Sequence, residues 1–414
     1  MPRLIHDKTT WLTYAQLGLW GFFLYGFGPV VPLLRDEQGT SAAVAGLHST
    51  GIAVGALLGG ALFAPVARRL GRGPAIWLGL AGVAAGVAAL GLLRPLPATL
   101  AAVAVIATFG MLVVSGVNVV LTAHHGPAAP AALTEANAAC AGMGILAPLV
   151  IGTTVNSGHG WRPVMAVEVG LITLVALAAL LFRVRLPKAA PAAAGPAVVT
   201  ASAPAARTPA AHRLPAAYWI AWVLMSVTGS IEVCLSLWTA DVLRTHAGLG
   251  AGSASAAVAA IVGGMFVGRL AGGRFALRWP PVPLLLGALA VSLAGFALFW
   301  SAPVGWLAVT GLVVLGLGNA LHYPLAISIA LAVAGPAADK AAGWSSYSMG
   351  VGFGIAPVLL GWVADGVGPH LAFLLLPGFI AASVLLTVRL GRVLRAARPT
   401  APASGPVLSA PGPG

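Results

Sequence analysis

The stretch 279–338 reads WPPVPLLLGALAVSLAGFALFWSAPVGWLAVTGLVVLGLGNALHYPLAISIALAVAGPAA, sixty residues without a single Asp, Glu, Lys or Arg. About 20 helical residues cross a hydrocarbon core of about 30 Å, so this run is long enough for two membrane spans. Ser301, Ala302 and Pro303 form the natural break between them. Because lipid offers no hydrogen-bond partners to a backbone, and the alternation of a β-barrel strand is absent, the run predicts two membrane helices.

The rest of the 414-residue chain has the same character. Hydrophobic residues make up 59% of it and charged residues only 7%, against about 25% in a soluble domain. Further runs without charge, each about long enough for one span, cover 9–34, 38–67, 73–93, 136–161, 341–364 and 366–388. The run 95–134 holds one more helix before the polar residues His124 and His125. Two spans, at about 163–182 and 216–241, enclose Glu168 and Glu232, and the last covers about 252–276. The sequence therefore predicts an all-α membrane protein with twelve spans, numbered here in chain order.

The basic residues predict the orientation of these spans. If the N-terminus is cytoplasmic, eighteen of the 22 Lys and Arg residues fall in inner segments and four in outer segments. Cytoplasmic loops carry such an excess in most membrane proteins, so both termini are expected on the cytoplasmic side of the cell membrane. The net charge of +13 is then explained by topology and lipid headgroups, and it predicts no nucleic-acid partner.

Two repeated motifs indicate that the chain is a duplicated six-span unit. Span 2 carries a glycine every fourth residue at 51, 55 and 59, and span 8 repeats this at 264, 268 and 272. Ala-Pro-x-x-x-Gly occurs at 147–152 in span 5 and at 356–361 in span 11. Repeated six-helix units are typical of two-lobed transporters with a binding site between the lobes. We expect lobes at 1–182 and 215–395, a flexible Ala/Pro-rich linker at 183–214, and a disordered tail at 396–414.

The sequence resembles the major facilitator superfamily over about 10–392, and its pattern is most similar to the fucose-permease-like and related actinobacterial subgroup. The residues that carry the resemblance are 268–274 (GRLAGGR), 316–324 (GLGNALHYP) and the Ala-Pro-x-x-x-Gly helix followed by Asp365. The resemblance implies two pseudo-symmetric six-helix lobes and alternating-access transport of a solute.

The gating loops depart from the superfamily pattern. In the loop between spans 2 and 3, Arg68 stands where the family has Asp and Ala64 where it has Gly, and Leu277 occupies the corresponding acidic position in the second half. The match of span 5 to the antiporter motif is also loose, so drug export does not follow from it. The basic residues assigned to these gating loops are Arg68, Arg69, Arg72, Arg269, Arg274 and Arg278.

Polar residues inside apolar spans are the candidates for coupling and binding. A carboxylate in hydrocarbon costs about 2.5–3.5 kcal/mol on insertion scales, so Glu232 is expected to face a cavity or a partner. Glu232 and His322 are the proton-coupling candidates. Each also has a structural alternative: Glu232 could be a carboxyl that only packs between helices, and His322 could be a buried histidine whose hydrogen bonds are satisfied by a neighbour. For Glu168 we expect a structural role, in which the carboxyl pairs with a neighbouring group or snorkels to the membrane interface. The substrate-cavity candidates are Tyr25, Asn118, Asn319, Tyr323 and Tyr347.

The sequence contains no signature of an enzyme. None of the three lysines lies in a Walker A motif, and no His, Cys or Glu cluster has convincing metal-ligand spacing, so we expect no cofactor and no metal. The leading hypothesis is a monomeric secondary transporter that moves a small organic solute, driven by protons. Uptake of a sugar-like nutrient and efflux of a metabolite or drug both remain open. The alternative is a membrane sensor or scaffold that keeps the transporter fold without transporting.

Overall fold

The computed structural model describes residues 4–184, 186, 214–276, 278–334 and 338–396. Over these residues the first half contains the helices Lys8–Gln38, Ala42–Leu70, Arg72–Leu92, Leu96–His125, Ala129–Asn156 and Pro163–Leu181 as spans 1 to 6, with a 3-10 turn at Gly126–Ala128. The second half contains Ala216–Thr245 (span 7), Ala251–Ala257 and Ala259–Ala276 (span 8), Pro281–Trp300 (span 9), Gly305–Asn319 and His322–Ala334 (span 10), Ala338–Val367 (span 11), and Pro369–Ala372 and Leu375–Ala396 (span 12).

These helices confirm the predicted fold class. Twelve spans in the described part of the chain are long and apolar enough to cross a membrane. Span 9 ends at Trp300 and span 10 begins at Gly305, which confirms the break predicted in the sixty-residue run. Span 10 is interrupted again just before Pro324, because proline has no N–H for the carbonyl four residues earlier. Residues 187–213 of the predicted linker and 397–414 of the predicted tail lie outside the described residues.

The two glycine ladders have the same packing role in each lobe. A Cβ at Gly59 of span 2 would overlap the carbonyl oxygen of Thr108 in span 4. A Cβ at Gly264 of span 8 would overlap the carbonyl oxygen of Val313 in span 10. Spans 2 and 4 of the first lobe thus pack backbone to backbone in the same way as spans 8 and 10 of the second.

The repeated Ala-Pro-x-x-x-Gly motif packs one lobe against the other. Gly152 of span 5 lies against Gly252 and Ala256 of span 8, and Gly361 of span 11 lies against the backbone of Ala42 in span 2. Spans 5 and 8 of one contact correspond to spans 11 and 2 of the other when the two halves are interchanged, as a pseudo-twofold axis requires. The second repeated motif therefore builds the interface between the lobes.

Ion pairs join the lobes at one end of the bundle, which we call the paired end. The Arg35 guanidinium at the end of span 1 binds both carboxylate oxygens of Asp241 in span 7, within 3.0 Å. The next residue, Asp36, accepts a hydrogen bond from Arg244 at 2.7 Å. The side chain of Asp241 is only 2% exposed, so this pair is largely shielded from water.

A helix cap makes a third connection at the paired end. Asp365, at the end of span 11, accepts hydrogen bonds from the backbone N–H groups of Ala42 at 2.6 Å and Ala43 at 3.0 Å. These donors belong to the first turn of span 2, where the helix dipole favours a negative charge. A carboxylate of one lobe therefore caps a helix of the other.

The opposite end of the bundle, which we call the open end, carries exposed arginines. Arg68, Arg69 and Arg278 are exposed there, and Arg72 is half-buried. Several hydrogen bonds and ion pairs between the lobes lie between the Ser49–Phe353 contact and the paired end. Ion pairs therefore join the lobes at the paired end, whereas the open end carries exposed arginines.

Candidate central site

A cavity that opens to solvent lies between the lobes, near the middle of the bundle, with about 440 Å³ of space including its open part. Both lobes line it, through Leu24, Tyr25, Phe27, Gly28 and Ile52 from the first and Glu232, Val233, Ser236, Leu237 and Phe353 from the second. Most of these side chains are apolar or aromatic. The polar side chains in the lining are a carboxyl, a phenol and one hydroxyl, and this composition is typical of a small-molecule site.

Glu232 of the cavity lining has an oppositely charged neighbour, Arg269, which lies beside the lining residues. An Oε1 atom of Glu232 lies 3.9 Å from the guanidinium of Arg269, which projects from span 8. The side chains of Glu232 and Arg269 are 20% and 33% exposed, so both reach accessible space. The Tyr25 hydroxyl of span 1 lies beside the same guanidinium. Three helices from two lobes therefore meet at one pair of charges.

Close helix packing positions Tyr25. A Cβ at Gly21 would overlap the carbonyl of Cys140 in span 5, and a Cβ at Gly144 would overlap the ring of Tyr25 itself. Farther along span 1, Gly28 lies against the carbonyl of Ser236 in span 7. Because small residues let span 1 approach both neighbours, its phenol lies at the junction of the lobes.

The structure brings several of the predicted residues together. Glu232 and Tyr25 line the cavity, and Tyr323 of span 10 lies close enough to Glu232 to interact with its charge. Arg269, predicted in a gating loop, instead lies inside the helix Ala259–Ala276 and contacts Glu232. The predicted span of about 252–276 already included Arg269, but the sequence could not show that its side chain reaches Glu232.

His322 and Asn319 point away from this group. The Nε2 atom of buried His322 lies 3.1 Å from the Ser292 hydroxyl of span 9, and the Asn319 amide nitrogen lies 3.7 Å from the sulfur of Met265. Successive residues on a helix point about 100° apart, so His322 and Tyr323 face different neighbours. In this structure His322 is a packing residue of the second lobe and does not line the cavity.

The remaining candidates lie apart from the cavity lining. Asn118 is half-buried in span 4, and Tyr347 is 52% exposed with its ring 5.6 Å from that of Trp344. The side chain of Arg274 lies outside the described part of the structure. Among the described residues, no group of three or more His, Cys, Asp or Glu side chains is arranged to hold a metal ion.

Glu168 occupies a pocket of its own. Its side chain is 1% exposed and faces a space of about 170 Å³ between spans 1 and 6, beside Phe22, Phe23 and Phe27. Its Oε1 atom has no hydrogen-bond partner among the described residues. The expectation of pairing or snorkelling is wrong in its geometry, because the carboxyl points into the first lobe.

Sequence reasoning missed the residues that join the lobes at the paired end. Arg35 and Asp36 close span 1, and Asp241 and Arg244 occupy the corresponding end of span 7. The offset between these pairs is close to that of the repeated motifs. Opposite charges at equivalent positions of two repeats were the signal that could have identified them.

Comparisons with known proteins agree with this architecture. The family model of the Major Facilitator Superfamily matches residues 15–339. No curated protein sequence matches the chain. The structure is similar to that of a bacterial homologue of the human lysosomal transporter Spinster in an inward-facing, unoccupied conformation, with a TM-score of 0.73, 16% identity, and coverage of 96% of this chain and 100% of that one.

Two further solved structures show the same fold. A D-xylose–proton symporter matches with a TM-score of 0.69 and 16% identity, covering 92% of this chain and 96% of its own. The transporter FucP in an outward conformation matches with a TM-score of 0.59 and 17% identity, covering 92% and 98%. At these identities the likeness establishes the fold, and substrates are not inferred from it.

Proposed function

Because the chain belongs to the Major Facilitator Superfamily, as a multi-pass membrane transporter, we propose that its central cavity is the transport site of a proton-coupled secondary transporter. The observation that carries this proposal is the Glu232–Arg269 pair beside Tyr25, at a cavity lined by both lobes. A site at the junction of two repeats can be reached from either side of the membrane when the lobes rock. Alternating access then moves a small organic solute through it.

The basic residues supply the orientation for this proposal. The open end carries the arginine-rich loops, so we assign it to the cytoplasm, with both termini, and the paired end to the outside of the cell membrane. With this orientation, the structure corresponds to a state closed to the outside. The exposed arginines at 68, 69 and 278 and the half-buried Arg72 then lie where the cytoplasmic gate has to close, and we retain them as gating residues.

Glu232 is the group best placed to couple protons to this motion. It lies near the middle of the helix Ala216–Thr245, about 24 Å from the start and about 20 Å from the end at 1.5 Å per residue. A carboxyl at this depth is stable when it is paired with Arg269 or when it carries a proton. Each charge state thus suits a different occupancy of the site, which is what coupling requires.

Two proteins with similar structures support protons and small solutes as partners. One protein is a D-xylose–proton symporter and another is the nucleoside transporter NupG. For this chain we propose transport by a single copy, since both halves of the site come from one chain. The direction follows from the sign of the coupling, which a flux measurement decides.

The test begins with purified protein and a thermal-shift screen of sugars, nucleosides, organic acids and amphiphilic drugs, since a bound ligand stabilises the fold. A solute that raises the melting temperature is then offered to proteoliposomes under an imposed pH gradient. We expect flux driven by the gradient, with uptake under an inward gradient indicating symport and extrusion indicating antiport.

Glu232→Gln should abolish the driven flux, and Glu168→Gln is the matched control. Glu168 is another carboxyl inside a span, but it lies outside the central cavity. Driven flux that survives Glu232→Gln would refute the assignment of the coupling residue. If no solute is transported while Glu232→Gln and His322→Ala keep the cellular phenotype, the sensor or scaffold alternative holds instead.

A further inference from the structure

The charges at the central site balance each other. Glu232 carries one negative charge and Arg269 one positive charge, and within the described residues neither has another opposite charge within 4 Å. The other titratable groups that face this pair are neutral, namely Tyr25 from span 1, Cys140 from span 5 and Tyr323 from span 10. Phe353 is the contribution of span 11 to the cavity lining.

A proton on Glu232 would therefore leave the Arg269 guanidinium, which is about two-thirds shielded from solvent, without an opposite charge within 4 Å. Arginine keeps its proton in proteins, so the guanidinium cannot relieve this cost by becoming neutral. Removing one partner of a shielded ion pair is unfavourable, because the remaining charge loses its compensation. An anion that replaces the carboxylate of Glu232 would remove this penalty.

The lining of the cavity indicates that the rest of such an anion is apolar. Leu24, Ile52, Val233, Leu237 and Phe353 form an apolar wall along the cavity. A sugar would bury several hydroxyls against these side chains without partners, at a cost for each unpaired group. An apolar body with one charged group fits the wall and the guanidinium together.

We propose that the site binds an organic monoanion with an apolar body, such as a monocarboxylate, together with one proton on Glu232. The inference rests on the proposed function, since it names the solute class of the same site. The carboxylate takes the place of Glu232 on the Arg269 guanidinium, whose planar fork suits two carboxylate oxygens. Tyr25 and Ser236 supply hydroxyl donors beside it. The loaded site then has the same net charge as the empty one.

The test compares ligands that differ only in charge. Phenylacetate, 2-naphthylacetate and octanoate are each titrated into the full-length protein in nanodiscs beside the primary amide and the amine with the same carbon skeleton. We expect the carboxylates to bind, the amides and amines to bind at least tenfold more weakly, and the Kd of the carboxylates to rise about tenfold per pH unit once Glu232 is ionised in the free protein. Proton uptake in weakly buffered solution should approach one per bound carboxylate.

Two variants separate this inference from the proposed function. Arg269→Gln should abolish carboxylate binding, whereas Arg94→Gln, which removes an arginine that is 77% exposed, should leave it intact. Glu232→Gln imitates the protonated carboxyl, so binding should persist and lose its pH dependence. If none of the three carboxylates binds, or an amine binds better than its carboxylate, the monoanion assignment is overturned. The proposed function survives such a result if another solute shows driven flux that Glu232→Gln abolishes.

Discussion

Removing the Asp365 carboxylate should open the paired end. Asp365 of span 11 accepts two backbone hydrogen bonds from Ala42 and Ala43 of span 2. Donors and acceptor lie on different lobes, so the bonds exist only while this end is closed. Asp365→Ala therefore destabilises the closed state and leaves the open state almost unchanged.

The magnitude follows from the exposure of the carboxylate. A hydrogen bond to a charged group contributes about 1.5–3 kcal/mol when buried, and a charge at a helix N-terminus about 0.3–1 kcal/mol. Asp365 is exposed, so we take about 1–2 kcal/mol for the whole cap. This free energy corresponds to about a 5- to 30-fold fall in the ratio of closed to open protein.

Spin labels on opposite lobes can measure this ratio. His159 and Val304 are exposed in paired-end loops of the first and second lobes, and double electron–electron resonance between cysteines at these positions reports the distance across that end. Asp365→Ala should add or enlarge a long-distance population, and Asp365→Asn should do so to a smaller extent. Asp7→Ala is the matched control, because Asp7 also caps a helix, through Thr10 at 2.8 Å, but within one lobe. An unchanged distribution in Asp365→Ala, or an equal change in Asp7→Ala, would refute the reasoning.

Three further predictions concern packing, pH and topology. Gly59→Val should destabilise the protein by about 1–3 kcal/mol, measured as a lower melting temperature, whereas Gly60→Val next to it should have little effect, since a Cβ there meets no atom within 4 Å. Burial alone would raise the pKa of Asp7, but hydrogen bonds from the Thr10 backbone and hydroxyl and the contact with His124 lower it overall, so its contribution to stability is present above a pH of about 3.9 and is lost as the pH falls through the lower folded value. The acid side of the stability profile should therefore flatten in Asp7→Asn. A membrane-impermeant thiol reagent on intact cells should label His159→Cys and spare Arg69→Cys, and the reverse pattern would invert the proposed orientation.

The fold could be predicted because its determinants are repeated and local. A run of sixty residues without charge predicts membrane helices. Because the run is too long for one span, it also predicts the break at 301–303. The duplication was visible because the same glycine and proline spacings recur. What the spacing could not show was which helix each glycine meets, since that depends on how distant segments pack.

The site could be predicted only in part, because a sequence does not give the rotation of a helix about its axis. Glu232 could be identified from the sequence, since a charged side chain in hydrocarbon is unfavourable unless it has a partner or faces a cavity. His322 and Tyr323 are adjacent and both polar, so the sequence did not distinguish them. In the structure His322 faces Ser292 of span 9 inside the second lobe, whereas Tyr323 lies near Glu232. The partner of Arg269 could not be predicted for a related reason, because only the packing of span 8 against span 7 brings its side chain to Glu232.

The two ends of the bundle differ in the contacts that they make between the lobes. At the paired end, Asp36, Asp241 and Asp365 each meet a cationic or N–H partner from the other lobe. At the open end Arg68 and Arg69 are exposed, and the described carboxylates there, Asp7 and Glu135, pair with histidines of their own lobe. Like charges in close approach oppose closure, and salt screens them only in part. We therefore expect the empty protein to favour closure at the paired end, and we expect the loaded central site to stabilise the reverse state.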